Sequence, residues 1–234
     1  MYSREINGEE YTFGVSGKLI RNVLVMYDRQ TESYWSQLLG EAVEGELVGT
    51  KLTFEPSWMM SWAQWQALHP DTIALDKLGR RGGRDTYDSY YSSNQTGVIP
   101  ETITDNRLDV KEFVAGVELN DAIIAYPFRT LNDEPVVNDT VGDEAVLVTF
   151  DAETAVSTAF SREVDGQTLT FTATDTPFVI QDNETDTTWD ALTGVALEGS
   201  LAGSQLTRYK STGSFWFGWK DIHPDTLLYG FDDY

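Results

Sequence analysis

The feature that most constrains this chain is an internal repeat. Ser3-Arg4-Glu5-Ile6-Asn7-Gly8 returns as Ser161-Arg162-Glu163-Val164-Asp165-Gly166, each followed by an extended triplet, Tyr11-Thr12-Phe13 and Leu169-Thr170-Phe171. After a four-residue deletion in the second copy, Asp28, Thr31 and Trp35 match Asp182, Thr185 and Trp189. Gly40, Gly45, Gly49 and Leu52 match Gly194, Gly199, Gly203 and Leu206, and Trp62 and Trp65 match Trp216 and Trp219. His69-Pro70-Asp71-Thr72 returns whole as His223-Pro224-Asp225-Thr226. Equal intervals between indoles, glycines and a tetrapeptide mean that two segments meet the same packing requirements, so one module is expected twice.

Either copy predicts the elements. Asn7-Gly8 and Asp165-Gly166 are hairpin turn signals, because both dipeptides tolerate positive φ at two successive residues. Leu19 to Tyr27 reads as one apolar strand, and Gly40 to Phe54 as short extended pieces broken at glycines. Ser61 to Leu68 reads as a helix. Ser61 is its N-cap, Trp62 and Trp65 lie one turn apart for packing on a sheet, and the residue before Pro70 ends it. Gly116-Val117-Glu118-Leu119, Ala122 to Phe128, Val136-Val137 and Ala145 to Phe150 supply further strands. The expected fold class is mostly β (α+β), a duplicated β-rich module with one short Trp-bearing helix per copy. Residues 1–78 form the first copy, incomplete at its N-terminal side; 79–109 form a connector; 110–234 form the second, more degenerate copy.

Composition bounds the function. The formal charge is −22, with 38 acids against 16 bases. Residues 1–100 hold 13 acids and 9 bases, so the excess lies in the second half. Only six of the bases are Lys. An acidic, Lys-poor surface is kept compact by screening salt, which points to a halophilic source, and it argues against nucleic acid or anionic lipid as partner. No apolar run reaches the ~20 residues of a membrane-spanning helix. Met1-Tyr2-Ser3-Arg4-Glu5 leads directly into strand-like sequence, so no signal peptide is read. The chain has no Cys, which removes disulfides, Cys-ligated metals and thiol catalysis. Sequons at Asn94, Asn138 and Asn183 are short patterns with little weight for export.

Some of these residues resemble the domain of unknown function family 3179: Thr12 to Leu19, Val25 to Ser33, Trp35-Ser36-Gln37 and His69-Pro70-Asp71-Thr72. The second copy resembles a fuller member through Gly116 to Asn120, Ala125 to Arg129, Val137 to Gly142 and Val148-Thr149-Phe150. The family typically carries Cys-Pro-Leu-Cys-Gly next. Here those positions read Asp151-Ala152-Glu153-Thr154-Ala155, so any metal or redox role of the cysteines does not carry over to this copy. The first copy starts a few residues downstream of where that motif would fall. The resemblance implies a fold and an extracellular or cell-surface location, but no activity.

The copies diverge where function is most expected to act. Gly14, Ser16, Gly17, Tyr27, Arg29, Gln30, Ser36 and Gln37 belong to the first copy alone, so a site is expected there. The candidate ligand-binding residues are Tyr27, Arg29, Gln30, Trp35, Gln37 and His69. Arg29 can clamp an anionic group while Gln37 orients it and Tyr27 or Trp35 supplies a flat wall. The competing reading is an Asp/Thr turn, with Arg29 paired to Asp28 or Glu41. His69 and His223 suit a metal or general base by chemistry, but a helix-ending turn explains both copies. The His-Pro-Asp tripeptide of chaperone J-domains does not fit a strand-rich setting. Gly14-Val15-Ser16-Gly17 is one residue short of a hydrolase elbow and has no His to serve it.

A Gly-rich basic stretch, Gly79-Arg80-Arg81-Gly82-Gly83-Arg84-Asp85, lacks the strand and helix of a phosphate loop. Among 38 acids, close carboxylate pairs carry no catalytic meaning. The leading expectation is a non-enzymatic binding or structural module, exported or surface-associated. It needs no cofactor or metal and takes a small anionic ligand or a protein partner. The alternative is an enzyme or metal/redox accessory with Arg29, Gln37 and His69 at its site.

Overall fold

A computed structural model of the chain describes residues 1–75, 87–120 and 122–234; the Gly79–Asp85 stretch lies outside them. The chain is mostly β, as the pattern predicts. β1 (Glu5–Ile6) and β2 (Glu9–Glu10) close a two-residue hairpin on Asn7 (φ 54°) and Gly8 (φ 82°). There follows a four-stranded antiparallel meander of β3 (Phe13–Ile20), β4 (Val23–Asp28), β5 (Tyr34–Ser36) and β6 (Glu41–Glu44). The single strand expected over Leu19–Tyr27 is in fact a hairpin, with Arg21 (φ 48°) and Asn22 (φ 64°) at its turn. Apolar residues on both sides of that turn conceal it in the sequence. α1 (Trp62–Leu68) and α2 (Asp88–Tyr91) come next.

The middle of the chain builds two sheets. β7 (Phe113–Glu118) and β8 (Ile123–Pro127) form one antiparallel pair. The one-turn α3 (Phe128–Asp133), which the strand reading of Ala122–Phe128 did not anticipate, leads to β9 (Val136–Val141), β10 (Glu144–Asp151) and β11 (Val156–Ser161). A second hairpin, β12 (Glu163–Val164) and β13 (Gln167–Thr168), turns on Asp165 (φ 50°) and Gly166 (φ 78°). It opens a second meander of β14 (Phe171–Ala173), β15 (Val179–Asp182), β16 (Thr188–Asp190) and β17 (Ala196–Glu198). β18 (Lys210–Phe215) pairs antiparallel with β7. α4 (Trp216–Ile222) follows, and β19 (Leu227–Leu228) joins β8 in parallel.

The two meanders carry the same hydrogen bonds. The Trp35 indole donates to Asp28 Oδ2 at 2.9 Å, and Trp189 donates to Asp182 Oδ2 at 2.8 Å. Thr31 and Thr185 each donate backbone N–H to the same carboxylate at 2.6 Å. Both acids and both tryptophans are fully buried. Burial alone would raise the Asp28 carboxyl, but the bonds from Trp35 and Thr31 outweigh it and hold its pKa below the ordinary value. Gly45 and Gly199 stand at φ 103° and 119°. A Cβ on either would lie 2.7 Å from the Cα of Ser33 or Thr187, so each turn requires glycine.

The helices differ. In α4, Trp216 and Trp219 are buried against β7 and β8, with Val114, Ala125 and Leu228 in the same cluster. A Cβ at Gly116 would collide with the Trp219 ring. Lys220, 1% exposed, pairs with Glu101 at 3.3 Å, and Asp221 accepts backbone N–H from Thr102 and Ile103 at 2.9 and 3.0 Å. In α1 no residue is buried and Trp62 is 46% exposed, so its tryptophans do not pack on a sheet as expected. Lys210 links the two halves: it pairs with Glu118 at 2.6 Å and donates to the carbonyls of Leu38 and Leu39 at 3.3 and 3.1 Å.

Candidate functional site

A cleft opens near the first meander, between β3–β5 and the outer edge of β18. It has two lobes of about 550 and 610 Å³ that share Met1, Gln37, Phe54, Thr212 and Gly213. One lobe runs under the meander past Val23, Leu24, Met26 and Leu38. The other is walled by Trp58 and Met60 and by Thr154 to Ser157 of the β10–β11 turn. Apolar walls with a few hydroxyls and one carboxamide make a surface that selects by shape and hydrogen bonding.

Each meander presents the same face here, with different results. Leu24, Met26, Gln37 and Leu38 line the first lobe. Their counterparts Phe178, Ile180, Ala191 and Leu192 line a space of only about 120 Å³. There β10 and β11 cover the meander, with Thr149 and Thr158 both donating to Ala191 O at 2.8 Å. Gln37 is exposed at the position where the second meander has the covered Ala191.

Around the cleft, Arg208 lies over the rings of Trp58 (5.0 Å) and Phe160 (5.9 Å). Burial lowers its pKa, and among the described residues no carboxylate pairs with it. Trp58 Nε1 and Arg208 Nε are buried without hydrogen-bond partners.

Of the six candidate residues, Gln37 lines this cleft. Trp35 lies on the core face of the meander with Phe13 and Met26. Tyr27 pairs with Gly14 and Tyr34, one residue out of phase with Trp35's partner Met26, so its side chain is on the opposite face. Arg29 is exposed, donates to Phe13 O at 2.6 Å and stands 5.7 Å from the Tyr27 ring. It pairs with neither Asp28 nor Glu41; Glu41 faces Lys51 at 4.0 Å. Gln30 Oε1 accepts from Thr12 N–H at 3.0 Å. Glu184 does the same for Thr170 at 2.8 Å, which gives both residues one structural role.

His69 caps α1 and packs its ring, tilted, against Trp65 at 4.2 Å, as His223 caps α4 and packs against Trp219 at 4.3 Å. Thr72 and Thr226 accept the two indole N–H groups at 3.2 and 2.9 Å. No hydrogen bond or ring contact joins any two of Arg29, Gln37 and His69 among the described residues. Nor do three or more His, Cys, Asp or Glu side chains there form a group that could hold a metal. No helix among them is long and apolar enough to cross a membrane.

Sequence reasoning found Gln37 through the divergence of the copies. It missed Trp58, Arg208 and the Ser211–Ser214 strand, whose polar, Gly-containing sequence gives no strand signal. Ala155 holds φ 56°, a left-handed conformation that favours glycine. Asp151 Oδ1 accepts Thr154 N–H at 2.7 Å across the same turn.

No curated protein and no solved structure matches the chain. A family model, described as protein of unknown function (DUF3179), matches residues 1–226, and the chain belongs to that family.

Proposed function

We propose that this protein is a non-enzymatic binding module made of a duplicated β-rich unit, and that its ligand seats in the cleft beneath the first meander. The observation that carries this reading is the cleft's chemistry: apolar walls around about 550 Å³, with the exposed Gln37 carboxamide among them. The duplication itself is supported by the shared Asp–Trp–Thr bonds and the shared His–Trp caps. Gln37 is the residue we assign to ligand orientation. The half-buried Tyr27 and the exposed Arg29 lie together on the meander's outer face, a setting suited to a small anionic group.

The test uses 8-anilinonaphthalene-1-sulfonate with the full chain and its Gln37→Trp variant. Saturable fluorescence enhancement that the bulky indole abolishes supports the cleft as the site. Equal enhancement in both forms, or none in either, overturns it.

We also read the source as halophilic and the protein as exported or surface-associated, from the charge of −22 and from the family resemblance. Screening offsets self-repulsion among the acids. The melting temperature is therefore expected to rise steeply from low to molar salt, and a salt-independent value removes this part of the reading.

A further inference from the structure

The outer face of the first meander carries a device that the second lacks. In the β3–β4 hairpin Val15 pairs with Met26 and Leu19 with Leu24, so Ser16, Gly17 and Lys18 bulge out opposite Val25 alone. Gly17 takes φ 74°, and Ser16 Oγ pins the bulge by donating to Val25 O at 2.5 Å and accepting Lys18 N–H at 3.1 Å. β14 and β15 pair without any such shift, and the four residues by which the second segment is shorter fall within this hairpin.

A bulge gives up ladder hydrogen bonds and re-aims a side chain. Here the re-aimed side chain is that of Lys18. Its Nζ stands 3.6 Å from the centre of the Tyr34 ring, although β4 lies between their strands. Tyr34 pairs directly with Tyr27, and Tyr27 with Gly14, so one row crosses the sheet on this face. Gly14 leaves room for the Tyr27 ring, because a Cβ there would lie 2.6 Å from Tyr27 Cε1. Arg29 flanks the same ring at 5.7 Å. Two cations thus stand by two tyrosines on neighbouring strands, which run about 5 Å apart.

Neither cation is neutralised. Among the described residues no carboxylate pairs with Lys18 or Arg29, in a chain with 38 acids. Arg29 uses one guanidinium nitrogen on Phe13 O and makes no other hydrogen bond there. In the second meander the matching row is Thr172, Gln181 and Thr188, with Asn183 at the Arg29 position and no counterpart of Lys18. Thr172 is exposed and Gln181 half-buried, although β9 to β11 precede that meander and cover its other face. The chain ahead of a meander therefore leaves this face in solvent.

We infer that the outer face of the first meander binds a sugar carrying a phosphate or sulfate ester. Two cations match a tetrahedral oxyanion of about one to two negative charges, and the free donors of Arg29 can chelate it. A tyrosine wall suits the apolar face of a sugar ring. Glu44, which ends the row beyond Tyr34 and forms no ion pair among the described residues, can accept a sugar hydroxyl. Contact pairs of this kind persist in molar salt, which screens the repulsion of the distant acids. The inference extends the assignment of Tyr27 and Arg29 to a small anionic group, and it is independent of the cleft on the opposite face.

The experiment titrates the full chain in molar potassium chloride with glucose 6-phosphate, glucose 6-sulfate, inorganic phosphate and glucose. Backbone amides and the Arg29 Nε–H are followed by proton–nitrogen NMR. A sugar ester is expected to shift Gly17, Lys18 and the Arg29 Nε–H saturably, at least tenfold more tightly than inorganic phosphate or glucose, and to leave Thr172 and Asn183 unmoved. The tighter of the two esters names the oxyanion. Lys18→Gln and Arg29→Gln, both at exposed positions, should each weaken binding at least fivefold. Tyr27→Leu should remove most of the ester's advantage over inorganic phosphate, and the lysine and arginine variants decide alone if it does not fold. No shift with either ester, equal shifts at Thr172 and Asn183, or full affinity in Lys18→Gln overturns the inference. If inorganic phosphate moves the Arg29 Nε–H as strongly as the esters do, only the sugar ester is lost; if no anion moves it, the anionic reading of Tyr27 and Arg29 falls as well.

Discussion

The two meanders are alike in their hydrogen bonds and unlike in what covers them. Asp28 and Asp182 each gather one indole and one threonine inside a turn. Those contacts are short-range and need nothing from the rest of the chain. Cover is a long-range property. β10 and β11 lie on the second meander, and α4 lies on β7 and β8, whereas the first meander borders a cleft and α1 has no buried residue. Local chemistry thus sets the shape of each meander, and non-local packing decides how each one is covered.

The sharpest way to break this comparison is to truncate the equivalent tryptophans. Trp219 is fully buried over Gly116, and Trp219→Ala should cost about 3–5 kcal/mol in urea unfolding. Trp65 sits on a helix with no buried residue, so Trp65→Ala should cost less than about 1 kcal/mol. Equal costs would mean that α1 is packed in solution as α4 is.

A smaller and symmetrical effect is expected at the turns. Asp28→Ala and Asp182→Ala each leave a buried indole N–H without its acceptor, at about 2–3 kcal/mol apiece in the same assay. If one substitution is silent, the two turns are not equivalent and the duplication loses its best support.

The cap of α4 brings a pH dependence. Burial, and then the charge of Lys210, lower the His223 pKa to about 4. Its buried Nε2 has no partner. Between about pH 6.5 and 4 the unfolded chain takes up a proton that the folded chain refuses. Stability should therefore fall as pH drops through that window, by on the order of 2 kcal/mol. His223→Gln should flatten that part of the pH profile. An unchanged slope would place the titration elsewhere.

What the sequence discloses follows the same division. The Asn7-Gly8 and Asp165-Gly166 turns, the Ser61 cap and the stop at His69 are legible because each depends on the φ or hydrogen-bonding chemistry of adjacent residues. The Arg21-Asn22 turn is hidden, since Leu19-Ile20 and Val23-Leu24 read through it as one apolar run. α3 is hidden for a similar reason, as Phe128 continues the apolar run of β8. Gln37 was singled out by comparing the two segments, but one wall of its cleft comes from β18 and the β10–β11 turn, more than a hundred residues away.

The smallest effect tests why two helices with the same tryptophan spacing start differently. α1 begins with a capping box: Ser61 Oγ accepts Gln64 N–H at 3.4 Å, and the Gln64 side chain accepts Ser61 N–H at 3.3 Å. α4 has Phe215 at the same place, with no side-chain cap. A helix of seven residues is too short to hold itself by propagation alone. One without packing depends on its cap, whereas α4 is held by buried tryptophans and the Lys220–Glu101 pair. Ser61→Ala should therefore cost about 1 kcal/mol locally. The loss should appear as reduced helical carbon chemical shifts over 62–68, with no change over 216–222 and little change in the global melt. A loss of global stability would show that α1, for all its exposure, is coupled to the fold.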